Sequence, residues 1–375
     1  MDSSEIFDRL RLIRSANVGP VSYYRLMQKY GTAKNTLRAL PELTQRGGRR
    51  RPEIASERSI EREIESVEKL GGKFLFHDQH TYPAILSELR NAPPVLICRG
   101  DISLIQRPAV ATVGARNASA ASRSFARMLA EELTEQGVSI VSGLARGIDT
   151  AAHQGSIKRA TVAVIAGGTD IYFPPENQEL QEQIASEGLL LSEQPPGTEP
   201  HARHFPFRNR IIAGLAIGTV IVEAAPKSGS LITARLAAEA GRHVMAVPGS
   251  PMDPRSQGCN DLIKDGASLI QSAEDVLELI RPMDQRMVQK SITAQQPAAM
   301  VVGTQETRKA DSGSPKQQMQ VNILNLLSTT PVTVDELVRQ SQIDPAEIQL
   351  MLLELELAGK LTRSAGARVA LSSIH

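Results

Sequence analysis

Residues 109–168 read AVATVGARNASAASRSFARMLAEELTEQGVSIVSGLARGIDTAAHQGSIKRATVAVIAGG. Three short apolar runs lie inside this stretch: ATVG at 111–114, VSIVSGL at 138–144 and TVAVIAGG at 161–168. Each is apolar at consecutive positions, so both faces of the strand need cover, as in a parallel sheet between two layers of helices. Between the first two runs Phe125, Met128, Leu129 and Leu133 recur at helical spacing. The pattern continues with LLLSE at 189–193, TVIVEA at 219–224 and VMAVPG at 244–249. A doubly wound α/β domain with a mainly parallel sheet is the fold class these residues predict.

The flanks differ from this centre. Up to about residue 70 apolar and charged residues mix without strand-like alternation, which predicts a small helical domain. Within it Leu12-Ile13-Arg14-Ser15-Ala16-Asn17-Val18-Gly19-Pro20 resembles a helix-hairpin-helix element, with Asn17 where the motif normally has glycine. Such a hairpin contacts nucleic-acid phosphates through its amides, or serves packing and self-association. Residues 283–320 fill with Gln, Ser, Lys and Pro and read as a flexible linker. Beyond it, Thr333 with Glu336, and Asp344 with Pro345 and Glu347, mark two helix starts. Ile348, Met351, Leu352 and Leu355 give the second helix an apolar face, Gly359 ends it, and KLTRSAGARVAL supplies a hairpin. Helices followed by a hairpin predict a winged helix. The expected division is 1–75 helical, 76–282 α/β, 283–320 linker and 321–375 winged helix.

Across the 375 residues, 42 Lys and Arg almost cancel 41 Asp and Glu, so affinity for a polyanion must come from local clustering. From residue 321 on, six acidic residues stand against four basic ones, which disfavours duplex binding by the winged helix and points to a protein-contact or regulatory role. Two cysteines, Cys98 and Cys259, suggest neither a zinc cluster nor a disulfide scaffold, and a reducing, cytoplasmic setting is expected. The longest apolar run, 211–222 (IIAGLAIGTVIV), is too short to span a bilayer and is read as a buried strand with its approach. The N-terminus shows no secretory pattern, and no membrane insertion is expected.

Candidate chemistry collects at strand ends, where open α/β sheets bind ligands. The first strand ends in Val113-Gly114-Ala115-Arg116. The second ends in Ser142-Gly143-Leu144-Ala145-Arg146-Gly147-Ile148-Asp149, whose glycines allow close backbone approach and whose following helix can offer free N–H groups to an anion. Gly167 and Gly168 follow the third strand, and Glu223 leads to Lys227-Ser228-Gly229-Ser230 after the fifth. Together these favour one shared site for a phosphate-bearing ligand. Residues 201–210, HARHFPFRNR, hold three arginines, two histidines and two phenylalanines without an acidic residue. Phe205 and Phe207 are either a base-stacking platform or core anchors, and we read them as core anchors; Arg208 and Arg210 are read as phosphate ligands. The cluster Arg46, Arg49, Arg50 and Arg51 reads as a solvated loop. Asp149 and His153 are one helical turn apart, but lack a third metal ligand and read as a helix-start acid and a core histidine satisfied by backbone. Glu223 is placed as a catalytic base or as the partner of an arginine.

Taken in order, VGARNAS, SGLARGIDTAAH, TVAVIAGGTDIYFPPEN, GLLLSE, HFPFRNRIIAGL, VIVEAAPKSGSLITARLAAEAGRHVMAVPG and the Gly258–Ala267 segment resemble the DNA-processing protein A (DprA or Smf) family over about residues 82–270. The resemblance implies an extended Rossmann-like fold that binds single-stranded DNA, forms homodimers, displaces single-strand-binding protein and loads the RecA recombinase during natural transformation. It implies no catalytic residue, no metal and no cofactor. Carried over by position, the DNA-binding set is Gly114 and Arg116, Ser142, Gly143, Arg146 and Gly147, Gly167 and Gly168, Arg208, Asn209 and Arg210, with Ser228, Gly229 and Ser230 beside them. Lys158 and Arg159 join the set near Ala160, where family members often carry lysine. Phe173 stands where the family frequently shows tyrosine, a departure read as lying outside the site. The alternative is an enzyme that cleaves nucleoside monophosphates at the glycosidic bond, with Glu223 as its acid or base.

Overall fold

The computed structural model describes residues 2–46, 53–281 and most of 323–372. By internal contacts the chain forms two compact units, residues 62–297 and residues 1–61 with 298–375. The expected linker at 283–320 lies outside the described residues, as do Arg49, Arg50, Arg51 and the side chain of Arg46.

In the first unit the apolar runs become strands of one sheet: β1 (Lys73–Phe76), β2 (Val95–Gly100), β3 (Ala109–Val113), β4 (Ser139–Ser142), β5 (Thr161–Ile165), β6 (Leu189–Ser192), β7 (Gly218–Ile221), β8 (His243–Ala246) and β9 (Ser268–Leu269). Their order is 1-2-6-5-4-3-7-8-9, parallel from β6 through β9, with β1 and β2 antiparallel at one edge. The direction of winding reverses between β3 and β7, which makes that pair the topological switch point. Successive side chains of β3 serve opposite layers: Ala109, Ala111 and Val113 pack with Ile211 and Ile212, whereas Val110 packs with Leu129, Leu133 and Ile148.

Two local expectations are corrected. Residues 211–215 close the helix His204–Leu215 and do not lead into the strand, which is Gly218–Ile221 alone. That helix is buried on most of its surface, so its apolar C-terminal half carries no periodicity to separate it from a strand. Met128 is 45% exposed and leaves the inner face of helix Ala120–Glu135 to Ala126, Leu129, Ala130 and Leu133. Both cysteines are buried and free, and burial pushes each thiol up to about 12. Among the described residues no helix is long and apolar enough to cross a membrane.

In the second unit, helices Ser3–Ile13, Pro20–Tyr30 and Ala33–Arg46 enclose Leu12, Val18, Tyr23, Leu26, Leu40 and Leu43. The winged helix is formed by helices Val334–Ser341 and Pro345–Leu357 with β10 (Val332–Thr333), β11 (Leu361–Ser364) and β12 (Arg368–Leu371), ordered 10-12-11. Both helix starts behave as the sequence predicts. Thr333 Oγ1 accepts from Glu336 N–H at 3.3 Å, and the Asp344 carboxylate accepts from Ala346 N–H at 2.8 Å. Helix Pro345–Leu357 is buried on two sides: Ile348, Met351, Leu352 and Leu355 join the winged-helix core, while Leu353 and Leu357 enter the core of the N-terminal helices. Asn17 takes the left-handed conformation at φ 61° that the hairpin motif asks of glycine, and its Nδ2 donates to Leu357 O at 3.1 Å. The hairpin therefore has a packing role against the winged helix.

Candidate nucleic-acid interface

Parallel strands deliver their carboxyl ends to one edge of the sheet, so the loops leaving β3, β4 and β5 meet there. With the first turns of helix His204–Leu215 they wall a cavity of ≈ 380 Å³. Of the residues expected from the sequence, Arg116, Gly143, Arg146, Gly167 and Arg208 line it.

Arg208 is the innermost cation. It is 7% exposed, its Nε has no hydrogen-bond partner, and its guanidinium carbon lies 5.9 Å from the centre of the Phe205 ring. Arg116 approaches the same ring at 5.4 Å, so two cations flank one aromatic side chain. Burial, opposed by the Asp149 charge, pulls Arg208 down to about 10, which leaves it cationic at neutral pH. Gly143 is what admits it: a Cβ at that position would lie 1.4 Å from Arg208 Nη1.

Asp149 works beneath this surface. Its Oδ2 accepts from Gly143 N–H at 3.1 Å and Ala145 N–H at 3.3 Å, and Ile148 N–H is spent on Ala115 O at 3.2 Å. The first two amides face the chain's own carboxylate, and Ile148 N–H, at the start of the helix expected to offer free donors, is taken by a carbonyl. Burial pushes the Asp149 carboxyl up, and the Arg208 charge pulls against it. His153 is core-facing as expected, but its Nδ1 meets the Thr161 hydroxyl at 2.7 Å and not the backbone. Burial, with the nearby Arg208 charge, lowers His153 to about 3, so it is neutral.

Aromatic walls complete the cavity. Phe173 and Phe205 sit 5.7 Å apart at 52° and both line it. Neither behaves as the sequence reading has it: Phe173 belongs to the cavity, Phe205 is a wall and not a core anchor, and Phe207 is 55% exposed. The signal that could have found Phe173 is its place in the loop leaving β5, a strand end like those of Arg116 and Arg146.

The remaining candidates lie elsewhere. Gly114 is packed between Ile148 and Glu223 O, and Ser142 is buried with Oγ donating to Thr112 O at 2.6 Å. Gly147 turns at φ 77° against Ala115 O, where a Cβ would lie 2.2 Å away. Gly168 packs on Pro195. Asn209 is half-buried outside the lining. Arg210 is directed into the protein, with Nη2 at 2.6 Å from both Glu193 oxygens and Nη1 at 2.7 Å from Asn91 O. Lys158 and Arg159 precede β5, hence the opposite edge of the sheet, and Arg159 pairs with Glu135 at 3.1 Å. Ser228 and Ser230 hydrogen-bond each other at 2.7 Å, beyond the switch point. Arg146 lines the cavity while paired with Glu176, both solvated, so the pair is weak and exchangeable. Among the described residues no arginine hydrogen-bonds Glu223; its carboxylate accepts from Ser119 N–H and Ser119 Oγ.

Three family models match the chain: DNA recombination-mediator protein A over residues 73–281, the DprA-like N-terminal HHH domain over 3–66 and the DprA winged helix domain over 307–367. Protein Smf of Synechocystis is 34% identical over 94% of this chain and 95% of its own length. The DNA processing protein DprA of Streptococcus pneumoniae is 41% identical over 66% of this chain and 89% of its own. Its X-ray structure aligns with a TM-score of 0.65 at 35% identity, covering 74% of this chain and 98% of that one. DNA processing protein A of Helicobacter pylori, described with a unique single-stranded DNA binding mode, aligns with a TM-score of 0.52 at 30% identity, covering 56% of this chain and 96% of that one.

Proposed function

The chain belongs to the DNA recombination-mediator protein A family, and from that premise we propose that it binds single-stranded DNA as a recombination mediator and not as an enzyme. The observation that carries this reading is Arg208, a nearly buried guanidinium lining a cavity, with a second arginine against the same aromatic ring. A phosphate in the cavity would accept charge-assisted hydrogen bonds from Arg116 and Arg208 and screen the repulsion of the pair. Phe173 and Phe205 offer faces on which any base can stack, so contacts are to backbone and ring and carry little sequence preference.

In this reading Arg116, Arg146 and Arg208 meet phosphate, Gly143 leaves the room that Arg208 fills, and Gly167 lines the approach. The other sequence candidates shape the loops. The division into 1–75, 76–282, 283–320 and 321–375 is part of the same proposal, as are a homodimer, contact with RecA recombinase and single-strand-binding protein, and a cytoplasmic setting. The test is a titration of labelled oligothymidylate against wild type, Arg116→Ala and Arg208→Ala at moderate salt. Each substitution is expected to weaken binding about tenfold, the worth of a charge-assisted hydrogen bond. Undiminished affinity in both would overturn the pocket.

A further inference from the structure

Resting on that reading, we infer that Glu223 is a positioning residue that aims Arg116 into the cavity. Glu223 follows β7 across the switch point and has φ 97°, a left-handed conformation that a non-glycine residue keeps only when its surroundings impose it. Those surroundings are the loop that carries Arg116. The Glu223 backbone oxygen accepts from Ala115 N–H at 2.7 Å, just before Arg116. Its side chain, 7% exposed, then reaches the far end of the loop, where Oε2 accepts from Ser119 Oγ at 2.7 Å and Oε1 from Ser119 N–H at 3.1 Å. Residues 116–118 thus form an arch with both feet on one glutamate.

Ser119 also caps helix Ala120–Glu135, its Oγ accepting from Ser122 N–H at 3.1 Å. The Glu223 carboxylate therefore stands at the positive end of the helix that follows the first strand of the doubly wound core, at the crevice where such folds commonly seat a ligand phosphate. With a carboxylate of the chain in that position, the cavity opens instead between the ends of β3, β4 and β5. This accounts for a strand-end acid beside a candidate site that has no reacting partner. It also gives the strained backbone a purpose: an arginine on an unstrapped loop would lose conformational freedom on binding DNA, and a strapped one has lost it already.

The test is a double-mutant cycle of Glu223→Gly with Arg116→Ala, read as oligothymidylate affinity over a salt series. Glycine adopts positive φ freely, so this substitution removes the carboxylate foot of the arch, while the backbone carbonyl still accepts from Ala115 N–H and the backbone path stays allowed. Glu223→Gly is expected to weaken binding about tenfold and to reduce the slope of log affinity on log salt by about 0.7, one phosphate contact on a single strand. In the Arg116→Ala background it is expected to add nothing. Equal losses in both backgrounds, or wild-type affinity for Glu223→Gly, would overturn the inference. Where Glu223→Gly does not fold, Ser119→Ala takes its place in the same cycle; it removes the Oγ contact and keeps the N–H contact to Glu223, so a smaller loss is expected, again absent in the Arg116→Ala background. Loss in Arg116→Ala with an additive cycle leaves the DNA-binding reading standing and removes only the role of Glu223; no loss in Arg116→Ala removes the role of Glu223, and the pocket falls with it only where Arg208→Ala shows none either.

Discussion

Arg208 and Arg210 share a helix, a sequence motif and near-complete burial, and the structure gives them opposite tasks. Arg210 closes on Glu193 and Asn91 O, whereas Arg208 has an aromatic ring beside it and open cavity in front. Replacing Arg210 with alanine leaves the Glu193 carboxylate, itself largely buried, without its cation. The expected cost is about 3 kcal/mol of folding stability, seen as a lower denaturation midpoint, with affinity for single strands kept by the folded fraction. Arg208→Ala is expected to lower affinity and, because it leaves the buried Asp149 carboxylate without the Arg208 charge, to lower the midpoint as well. Asp149 sits between these cases. Asp149→Asn keeps an oxygen for the Gly143 and Ala145 amides but deletes the charge that favours the cationic form of Arg208 against its burial. Stability is expected to fall by about 2 kcal/mol and affinity for DNA to rise severalfold, measured by denaturant titration and anisotropy on the same preparation.

Among the elements, what could be read in the sequence was what strands show through continuous apolar runs. Strands β3 to β8 announce themselves because a parallel strand covered on both faces keeps a run of consecutive apolar residues. Strands β1 and β9 are short and lie at the sheet's edges, whereas β2 shows the same buried apolar run, Val95 to Cys98, apart from the repeating pattern that begins at 109. The cavity arginines at 116, 146 and 208 were legible as cations at strand ends and in a basic stretch, but the partners that disarm Arg210 and Arg159 lie far off in sequence and leave no local sign. The C-terminal helix Pro345–Leu357 gave up one apolar face to inspection; its second face, Leu353 and Leu357, is defined only by the N-terminal helices it meets. A charge there would be buried among apolar side chains. Leu353→Asp is expected to expose the winged helix to limited proteolysis while the fragment spanning 62–281 stays resistant and single-strand affinity is retained. Loss of DNA binding in that variant would make the winged helix part of the interface.

For the whole molecule, near-neutrality sets what kind of binding is possible. A formal net charge of +1 supplies no long-range attraction, and the basic groups that act are those focused at one cavity. Salt dependence then counts those groups: with Arg116, Arg146 and Arg208 each neutralising a phosphate, log affinity for a single strand should fall with log salt at a slope of about 2 per chain. Arg146 must leave Glu176 to contribute, and its share should vanish first as salt rises. The same geometry sets strand preference. Arg208 lies at depth, so a phosphate reaches it only if the backbone bends inward and a base turns toward Phe173 and Phe205, which a flexible strand does readily and a stacked duplex does at the expense of unpairing. A duplex of the same length should therefore compete weakly, and its residual binding should be insensitive to Arg208→Ala. Equal competition by duplex, or a slope near zero, would place the contact on a flat surface and not in this cavity.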